Sequence, residues 1–395
     1  MSLENSARLV QVALINNSVT PYRVDLHRRI SREVRELEIW SLFTHEVSNA
    51  PWQLIVPRDI RPVFFGAGEK SANSTSVIAQ PREWRKAGNI LRWLKAHEIR
   101  AVVLGGYNDL GRLRILWWCR RNKLPCFLFA DSNIRSDNIS GWKRLLKHFL
   151  LSRILGIASG VLCCGRLGEE YFGRYGVTSN LLFRFPYEPD YEKLTAVTSS
   201  QVEVARRTYG LSENRRYLIY SGRLVPVKRV DLLLAAFDRI SQLRPEWDLI
   251  IAGDGDERAR LERLVSKRIS SRVIWTGFIN EPDSLRSLYA AASVLVLPSD
   301  YEPWGVVVTE AAVLMPVIAS SMVGAAADVI IQGENGFIFE AGNVESLQEC
   351  MLKVTDEATL DAMTKAVPAR FAEWHDRSDP VKGLRAALRF VGVGP

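Results

Sequence analysis

Two cations in the second half of the chain have the spacing and position to hold an anion. Arg223 and Lys228 come directly after the apolar run YLIYSG (217–222), where a helix is predicted to begin. Side-chain cations at the start of a helix add to the partial positive charge of its unpaired backbone amides, an arrangement that suits a diphosphate. The alternative, that both side chains lie on a solvated helix cap, stays open for this segment alone.

Two carboxylates follow another apolar run, SVLVLP (293–298). Glu302 lies in the loop after that run, Gly305 opens the next helix with free backbone amides, and Glu310 comes directly before the apolar stretch AAVLMPVIA. A carboxylate beside an apolar helix face is costly without a partner, and the hydroxyls of a ribose or another sugar are suitable partners. The alternative, an exposed glutamate on an amphipathic helix, is less consistent with such apolar neighbours.

Gly253 ends a third apolar run, DLIIAG (248–253), and begins the sequence Gly-Asp-Gly-Asp. A dinucleotide-binding fingerprint needs a third glycine near position 258, which is an arginine here, so the pattern does not support NAD binding. Asp254 and Asp256 form an acidic pair of the kind that can bind a metal. We favour the alternative that Asp256 caps the following helix, because helix N-termini prefer acidic side chains.

Apolar strands and amphipathic helices alternate along the chain, which indicates parallel sheets covered on both faces. The clearest predicted strands lie at 9–15, 37–43, 101–106, 125–130, 160–164, 217–222, 248–253, 272–277, 293–298 and 316–320. The sequence predicts an α/β protein with two doubly wound, Rossmann-like domains facing a central cleft. We expect a first domain at 1–190, a polar linker at 191–214, a second domain at 215–370 and a C-terminal helix at 371–395.

Ligands of open parallel sheets bind outside the carboxyl ends of the strands. Each of the glycines, cations and carboxylates above follows a predicted strand. Gly277 and Phe278 do so as well, and they place a flexible turn after RVIWTG (272–277). We therefore expect all of these residues at one crevice.

Composition and charge narrow the class of protein. The chain has 395 residues, of which 47% are hydrophobic and 24% charged, as in ordinary globular proteins. It has no apolar run of about 18 residues that would span a membrane. Its first residues show no export leader, and its five cysteines have no zinc-binding spacing. We expect a cytoplasmic protein and exclude a membrane-spanning protein, a disulfide scaffold and a zinc module.

Positive charge is concentrated in the first half of the chain, where residues 1–195 include 29 basic and 18 acidic residues. One helix predicted there combines an apolar face with basic residues that lie largely elsewhere. The apolar residues are Trp142, Leu145, Leu146, Phe149 and Leu150, and the basic ones are Lys143, Arg144, Lys147 and Arg153. Such a helix suits an anionic lipid surface, although the same face would also suit packing on the sheet. We predict peripheral association with the inner face of a membrane.

Six short motifs of the second half stand in a specific order: SGRLVPVK (221–228), IAGDGDE (251–257), TGF (276–278), EPWGVVVTE (302–310), PVIAS (316–320) and GENGF (333–337). As an ordered set they resemble the C-terminal domain of the family-4 glycosyltransferases, which are retaining enzymes of the GT-B fold. The resemblance is strong over about 217–347. It is weaker in the first half, where it rests on Pro21-Tyr22-Arg23 and on the strand–helix pattern of 125–185.

The resemblance implies roles for the motif residues. Arg223 and Lys228 would hold the donor diphosphate and stabilise the leaving charge, Glu302 would bind the hydroxyls of the donor sugar, and Glu310 would bind those of the ribose. The remaining donor-binding positions are Gly222, Gly253, Gly277, Phe278, Pro303, Trp304 and Gly305, and the acceptor-binding positions are Asn17, Tyr22 and Arg23. The C-terminal helix would cross back onto the first domain.

Two departures from the family pattern concern the first domain. The loop after the first strand is Asn16-Asn17-Ser18-Val19-Thr20 in place of a glycine-rich loop. None of the five histidines matches the one that many relatives place near the reacting centre. Asp131, directly after the strand PCFLFA (125–130), has about the place of that histidine. It either substitutes for the histidine in catalysis or caps the segment that follows.

These expectations describe a retaining hexosyltransferase that moves a sugar from a nucleoside-diphosphate sugar to a saccharide or lipid-linked acceptor, in bacterial polysaccharide or glycolipid synthesis. Fixed cations can stabilise the leaving diphosphate, so no metal or cofactor is expected. The alternatives are a GT-B enzyme of another reaction, such as a sugar-nucleotide epimerase or a phosphorylase, and a basic nucleic-acid-binding protein. We expect no nucleic-acid partner, because the sequence has no nucleic-acid-binding motif and scattered cations alone bind weakly.

Overall fold

The computed structural model describes residues 9–47, 56–70 and 76–394. The chain divides into two compact units, one formed by Met1–Pro189 with Ser378–Pro395 and the other by Asp190–Arg377. The prediction that the chain has no export leader falls partly on the first eight residues, which lie outside the described residues. Within the described ranges, no helix is both long and apolar enough to cross a membrane.

The first unit contains one parallel sheet of seven strands. They are β1 (Val10–Asn16), β2 (Leu37–Phe43), β3 (Pro62–Phe64), β4 (Ala101–Gly105), β5 (Cys126–Ala130), β6 (Gly160–Cys163) and β7 (Leu182–Arg184), in the spatial order β3-β2-β1-β4-β5-β6-β7. The central strands are apolar along nearly their whole length because both faces of a parallel sheet are covered.

Helices of the first unit follow the strands in sequence. They are α1 (Pro21–Glu33), α2 (Gln80–Ala96), α3 (Leu110–Arg121), α4 (Gly141–Leu155) and α5 (Arg166–Arg174). Buried side chains of α2, α3, α4 and α5 join those of the sheet in one hydrophobic core.

The second unit contains six parallel strands: β8 (Arg216–Ser221), β9 (Trp247–Ala252), β10 (Val273–Gly277), β11 (Val294–Leu297), β12 (Val317–Ser320) and β13 (Gly336–Phe339). Their spatial order is β10-β9-β8-β11-β12-β13. The order therefore reverses between β8 and β11. In doubly wound sheets, this reversal is where the loops part and leave room for a ligand.

Helices of the remaining chain are α6 (Tyr191–Thr195), α7 (Ser199–Tyr209), α8 (Val230–Ile240), α9 (Arg258–Leu264), α10 (Pro282–Ala291), α11 (Val306–Ala312), α12 (Ala326–Val329), α13 (Val344–Val354), α14 (Glu357–Ser378) and α15 (Pro380–Phe390). The last of them, α15, contacts β7 and α1 of the first unit. Gly383 allows this close approach, because a Cβ there would overlap the carbonyl oxygen of Arg184.

The prediction of two doubly wound parallel-sheet domains is confirmed, and the structure adds detail at the boundaries. The stretch 191–214, expected as a linker, forms α6 and α7 and groups with the second unit. Thr198 and Gln201 form a capping box at the start of α7, which explains why this polar stretch is helical. The expected C-terminal helix at 371–395 is divided between the end of α14 and α15. The strands β3, β7 and β13 were not among the predicted ones and are short.

Candidate functional site

The loops after β8 and β11 lie side by side at the point where the strand order of the second unit reverses. The backbone N–H of Asp300 donates to the carbonyl of Val227 at 2.9 Å. The Arg229 guanidinium also lies 3.0 Å from a carboxylate oxygen of Asp300. These bonds hold the two loops together, so the residues that each loop carries are brought to one place.

Lys228 and Glu302, predicted as separate ligand-binding residues, form an ion pair across these loops. Their side chains are 14% and 18% exposed, so the pair is partly shielded from water. Lys228 ends a short 3-10 helix, and α8 begins only at Val230, after the left-handed residue Arg229. The two cations thus precede the helix, as expected, and Lys228 points to a carboxylate.

Arg223 differs from Lys228 in having no such partner. It is exposed, and its guanidinium forms no hydrogen bond or ion pair with the described part of the chain. Its backbone carbonyl accepts a hydrogen bond of 2.8 Å from the Tyr220 hydroxyl, which fixes the start of the loop. Arg223 therefore presents an uncommitted cation in the same loop as Lys228, an arrangement that suits an incoming anion.

Glu310 is held by a tyrosine that the sequence analysis missed. The Tyr289 hydroxyl lies 3.1 Å from Oε2 of Glu310 and 2.8 Å from Oγ of Ser221, the last residue of β8. Burial, together with the Glu310 charge, raises the pKa of Tyr289 well above its usual value, so the phenol stays protonated and donates to the carboxylate. A buried tyrosine hydroxyl normally has a polar partner, but no sequence pattern identifies Glu310 as that partner.

The glycines after the strands of the second unit pack the turns against one another. Gly222 N–H donates to the Ala252 carbonyl at 2.9 Å, and Gly253 N–H donates to the Gly277 carbonyl at 3.0 Å. Gly253 has φ +149°, and a Cβ there would overlap the carbonyl oxygen of Gly222. Glycine at this position is therefore required by the approach of two backbones.

The acidic pair Asp254 and Asp256 follows β9, at the start of the segment that leads to α9. The Asp254 carboxylate accepts a hydrogen bond of 2.8 Å from the backbone N–H of Gly255. The structure gives α9 a start at Arg258 with Glu257 at its N-cap, without a side-chain cap hydrogen bond. The expected cap at Asp256 is therefore not formed, because the helix begins one residue later than the sequence suggested.

The motif Pro303-Trp304-Gly305 has a structural role that is visible in its contacts. The Trp304 indole is buried and stacks on Trp374 of α14 with ring centroids 6.4 Å apart. The backbone carbonyl of Trp304 accepts a hydrogen bond of 2.7 Å from the backbone N–H of Ala325. Gly305 has φ +92°, a conformation that favours glycine. Pro303 lies against Gly324, while Phe278 is exposed at the end of β10.

A second cluster lies in the first unit, around Asp131. The Tyr187 hydroxyl donates to Asp131 at 3.2 Å, and the Arg23 guanidinium lies 5.9 Å and 6.0 Å from the ring centroids of Tyr22 and Tyr187. Burial raises the pKa of Asp131, against the opposing effects of Arg23 and Tyr187. The structure thus brings together Tyr22, Arg23 and Asp131, and it adds Tyr187, which no motif identified.

The contacts of this cluster argue against one of the two roles considered for Asp131, the capping of the following segment. The cap of the next turn is Asn133, whose side chain accepts hydrogen bonds from the backbone N–H groups of Arg135 and Ser136. Asp131 does not cap this turn and faces Arg23 and Tyr187. Nε of Arg23 is also buried without a hydrogen-bond partner within the described ranges. A buried, incompletely bonded guanidinium beside a carboxylate is a suitable place for a polar ligand.

Asn17 has a more limited role in the structure. It lies in the loop after β1, where its backbone carbonyl accepts a hydrogen bond of 2.7 Å from His45 N–H. His27, close to the same loop, is buried against Ser41 with an Nδ1 to Oγ distance of 2.7 Å. Burial, with a smaller effect of the Arg23 charge, lowers the pKa of His27 to about 3. This histidine is neutral at physiological pH and serves the packing of α1.

One group of side chains in the described residues has the composition of a metal site: His45, Glu69 and Glu83. Lys86 lies among them, with its Nζ 2.6 Å from Glu69, 3.0 Å from Glu83 and 3.2 Å from Nε2 of His45. The ammonium group supplies the positive charge that the carboxylates need. The cluster therefore fits a buried ion-pair network better than a metal centre.

Comparison with known proteins gives the second half of the chain a family context. Residues 201–368 match the family described as "Glycosyl transferases group 1". An uncharacterised glycosyltransferase of Methanocaldococcus jannaschii is 37% identical over 144 residues, which are 36% of this chain and 36% of that protein. A GDP-mannose-dependent monoacylated alpha-(1-6)-phosphatidylinositol monomannoside mannosyltransferase of Corynebacterium glutamicum is 29% identical over 180 residues, 44% of this chain and 46% of that protein. The chain thus spans less than half the length of either relative.

Solved structures agree over nearly the whole chain. The structure of Anabaena HepE in complex with UDP and glucose superimposes with a TM-score of 0.72 at 17% identity, covering 96% of this chain and 98% of the other. This likeness confirms the fold as the two-domain α/β arrangement of GT-B glycosyltransferases. The family match over the second unit supports a group-1 glycosyltransferase.

Proposed function

We propose that this protein is a retaining glycosyltransferase, which moves a hexose from a nucleoside-diphosphate sugar to a saccharide or lipid-linked acceptor. The observation that carries the proposal is the cluster at the strand reversal of the second unit. There Arg223, which has no ion-pair partner among the described residues, shares a loop with Lys228, and Lys228 pairs with Glu302 of the neighbouring loop. Glu310, held by Tyr289, is placed by the adjacent helix and binds the ribose hydroxyls.

Donor binding would exchange the partners of the ion pair. Lys228 leaves Glu302 for the phosphate oxygens, which Arg223 also contacts, and Glu302 then accepts hydrogen bonds from hydroxyls of the donor sugar. The negative charge that develops on the leaving diphosphate meets two fixed cations, which lowers the barrier without a metal or another cofactor.

Transfer with retention follows from chemistry on a single face of the sugar. The bond from the anomeric carbon to the phosphate oxygen breaks, and the bond to the acceptor oxygen forms on the same face. The acceptor proton passes to the leaving phosphate oxygen, so no separate base is needed. Asn17, Tyr22 and Arg23 would bind the acceptor in this scheme, and Asp131 would take the place of the family histidine in catalysis.

The comparisons support the class of enzyme and leave the donor base open. One similar structure holds UDP, whereas one similar protein uses GDP-mannose. The same GDP-mannose enzyme acts on a phosphatidylinositol mannoside, which supports a glycolipid or polysaccharide product here. An epimerase is not favoured, because the family match and these relatives are glycosyltransferases. We place the protein in the cytoplasm, in peripheral contact with the inner face of the membrane.

A thermal-shift screen against UDP, GDP, ADP and their common sugar conjugates tests the proposal. One nucleotide family should raise the melting temperature of the wild type, because a ligand that binds only the native state stabilises it. Arg223→Ala and Glu310→Ala should lose most of this shift. Arg263→Ala, an exposed arginine of α9, is the matched control and should keep it. The absence of a shift with every nucleotide would refute the donor assignment.

A further inference from the structure

Helix α4 exposes apolar side chains on the face that points away from the core. Trp142 is 69% exposed, Leu145 74% and Phe149 53%, and Leu146 and Leu150 are about as exposed as Phe149. The buried residues of the helix are Leu151 and Leu155. At 100° per residue, the five exposed side chains cover an arc of about 140° opposite these two leucines. We call this surface the α4 apolar face.

The packing of α4 answers a question that the sequence left open. The apolar residues of the predicted helix were equally suited to lie on the sheet, but the structure uses Leu151 and Leu155 for that contact. The α4 apolar face is therefore not needed to build the first unit. A contiguous group of exposed apolar side chains is uncommon in monomeric proteins and marks a surface that binds something.

The charges on helix α4 itself are all of one sign. No acidic residue occurs between Asp137 and Glu169 in the sequence. Lys147 pairs with Asp137 at 2.7 Å, whereas Lys143, Arg144 and Arg153 are exposed. The Arg153 guanidinium lies 4.1 Å from the centroid of the Phe149 ring, so a cation accompanies the apolar arc itself. Long basic side chains can extend past apolar surface to reach negatively charged groups.

We propose that the α4 apolar face docks onto an anionic membrane surface, with its five apolar side chains in the headgroup region and Lys143 and Arg153 at the lipid phosphates. This inference deepens the proposed membrane association and rests on it. It names the surface that makes the contact, and it would hold an acceptor-binding unit next to lipid-linked substrates.

Charge complementarity favours a membrane over a second copy of the chain. Two α4 faces brought together would bring exposed cations of like sign together without an acidic residue of the helix to pair with them. An anionic lipid surface satisfies the same cations and accepts the apolar side chains at once.

Vesicle binding tests the proposal. The full-length protein is sedimented with phosphatidylcholine vesicles that contain or lack phosphatidylglycerol, at low and at high salt. The wild type should bind the anionic vesicles at low salt and be released by high salt. The double variant Leu145→Asp/Phe149→Asp should bind more weakly by a factor of more than about ten, because it loses apolar insertion and adds negative charge.

Matched variants separate this surface from a general effect of charge. Leu243→Asp/Leu264→Asp introduces the same charges at exposed leucines of the second unit and should bind like the wild type. Lys143→Gln/Arg153→Gln should bind several-fold more weakly and depend less on salt. All variants change exposed side chains, so their melting temperatures should stay near that of the wild type.

Three results would overturn the proposal. The first is that the wild type does not bind anionic vesicles, and the second is that Leu145→Asp/Phe149→Asp binds them as well as the wild type does. The third is that the wild type forms a dimer, which is lost in this variant, and that neither protein binds lipid. The nucleotide thermal shift is measured on the same samples. If the wild type shows no nucleotide thermal shift, the proposed transferase function is refuted. If the shift is present but the wild type does not bind vesicles, only the proposed membrane-docking role of the α4 apolar face is refuted.

Discussion

Replacing Glu302 by glutamine should strengthen the binding of free nucleoside diphosphate while it weakens sugar transfer. Lys228 is paired with Glu302, and an incoming diphosphate has to take this partner away. The variant Glu302→Gln removes the competing charge and keeps the shape of the side chain. The two effects have opposite signs because Glu302 competes with the diphosphate but binds the sugar.

The size of the effect follows from the burial of the pair. Both side chains are less than one fifth exposed, so the pair is stronger than a surface salt bridge but is still partly screened. An ion pair of this kind contributes about 1 kcal/mol. The dissociation constant of the diphosphate should therefore fall about fivefold, while the transfer rate should fall by about a hundredfold, as for the loss of a group that acts on the transition state.

Isothermal titration calorimetry with the diphosphate that stabilises the wild type measures the first effect. Glu203→Gln, which removes an exposed ion pair with Arg207 of α7, is the matched control and should change neither quantity. An unchanged or weaker affinity of Glu302→Gln for the free diphosphate would refute the competition between Glu302 and phosphate for Lys228.

Three other substitutions test the positioning of Glu310, the packing of the glycine turns and the burial of His27. Tyr289→Phe removes the hydroxyl that holds Glu310 and should cost about 1–2 kcal/mol in chemical denaturation, with a several-fold loss in nucleotide affinity; full affinity would contradict the positioning role. Gly253→Ala places a Cβ on the Gly222 carbonyl and should cost about 3 kcal/mol or more, visible as a large fall in melting temperature. His27 has a pKa of about 3 in the folded protein and 6.5 in the unfolded chain. Its contribution to the free energy of unfolding is therefore fully present above pH 6.5 and is lost as the pH falls towards 3, by about 1.4 kcal/mol per pH unit. Denaturation curves of His27→Gln should lack this slope.

The sheets were predictable because their strands are continuous apolar runs that end in short polar segments. That pattern places Arg223, Lys228, Glu302 and Glu310 at strand ends, and the structure brings the loops of β8 and β11 together. The ion pair between Lys228 and Glu302 could not be predicted from the sequence, because it depends on the contact of two loops that are far apart along the chain.

Tyr187 and Tyr289 were missed for a related reason. In each case the tyrosine hydroxyl donates to a carboxylate on another element: Tyr187 donates to Asp131, and Tyr289 donates to Glu310. Side-chain type and local spacing do not indicate such partners. The orientation of α4 could not be predicted either, because its sequence offers apolar side chains to both the core and the solvent, and only packing decides between them.

The central claim is that this protein transfers a sugar from a nucleoside diphosphate with retention. A time course by NMR spectroscopy, with the nucleotide sugar that stabilises the protein and a membrane extract as acceptor, tests it most directly. We predict release of the nucleoside diphosphate and a new glycosidic signal with the anomeric configuration of the donor, absent in Arg223→Ala. A donor that stays intact, a product of inverted configuration, or a sugar epimerised while still attached to the nucleotide would contradict the account.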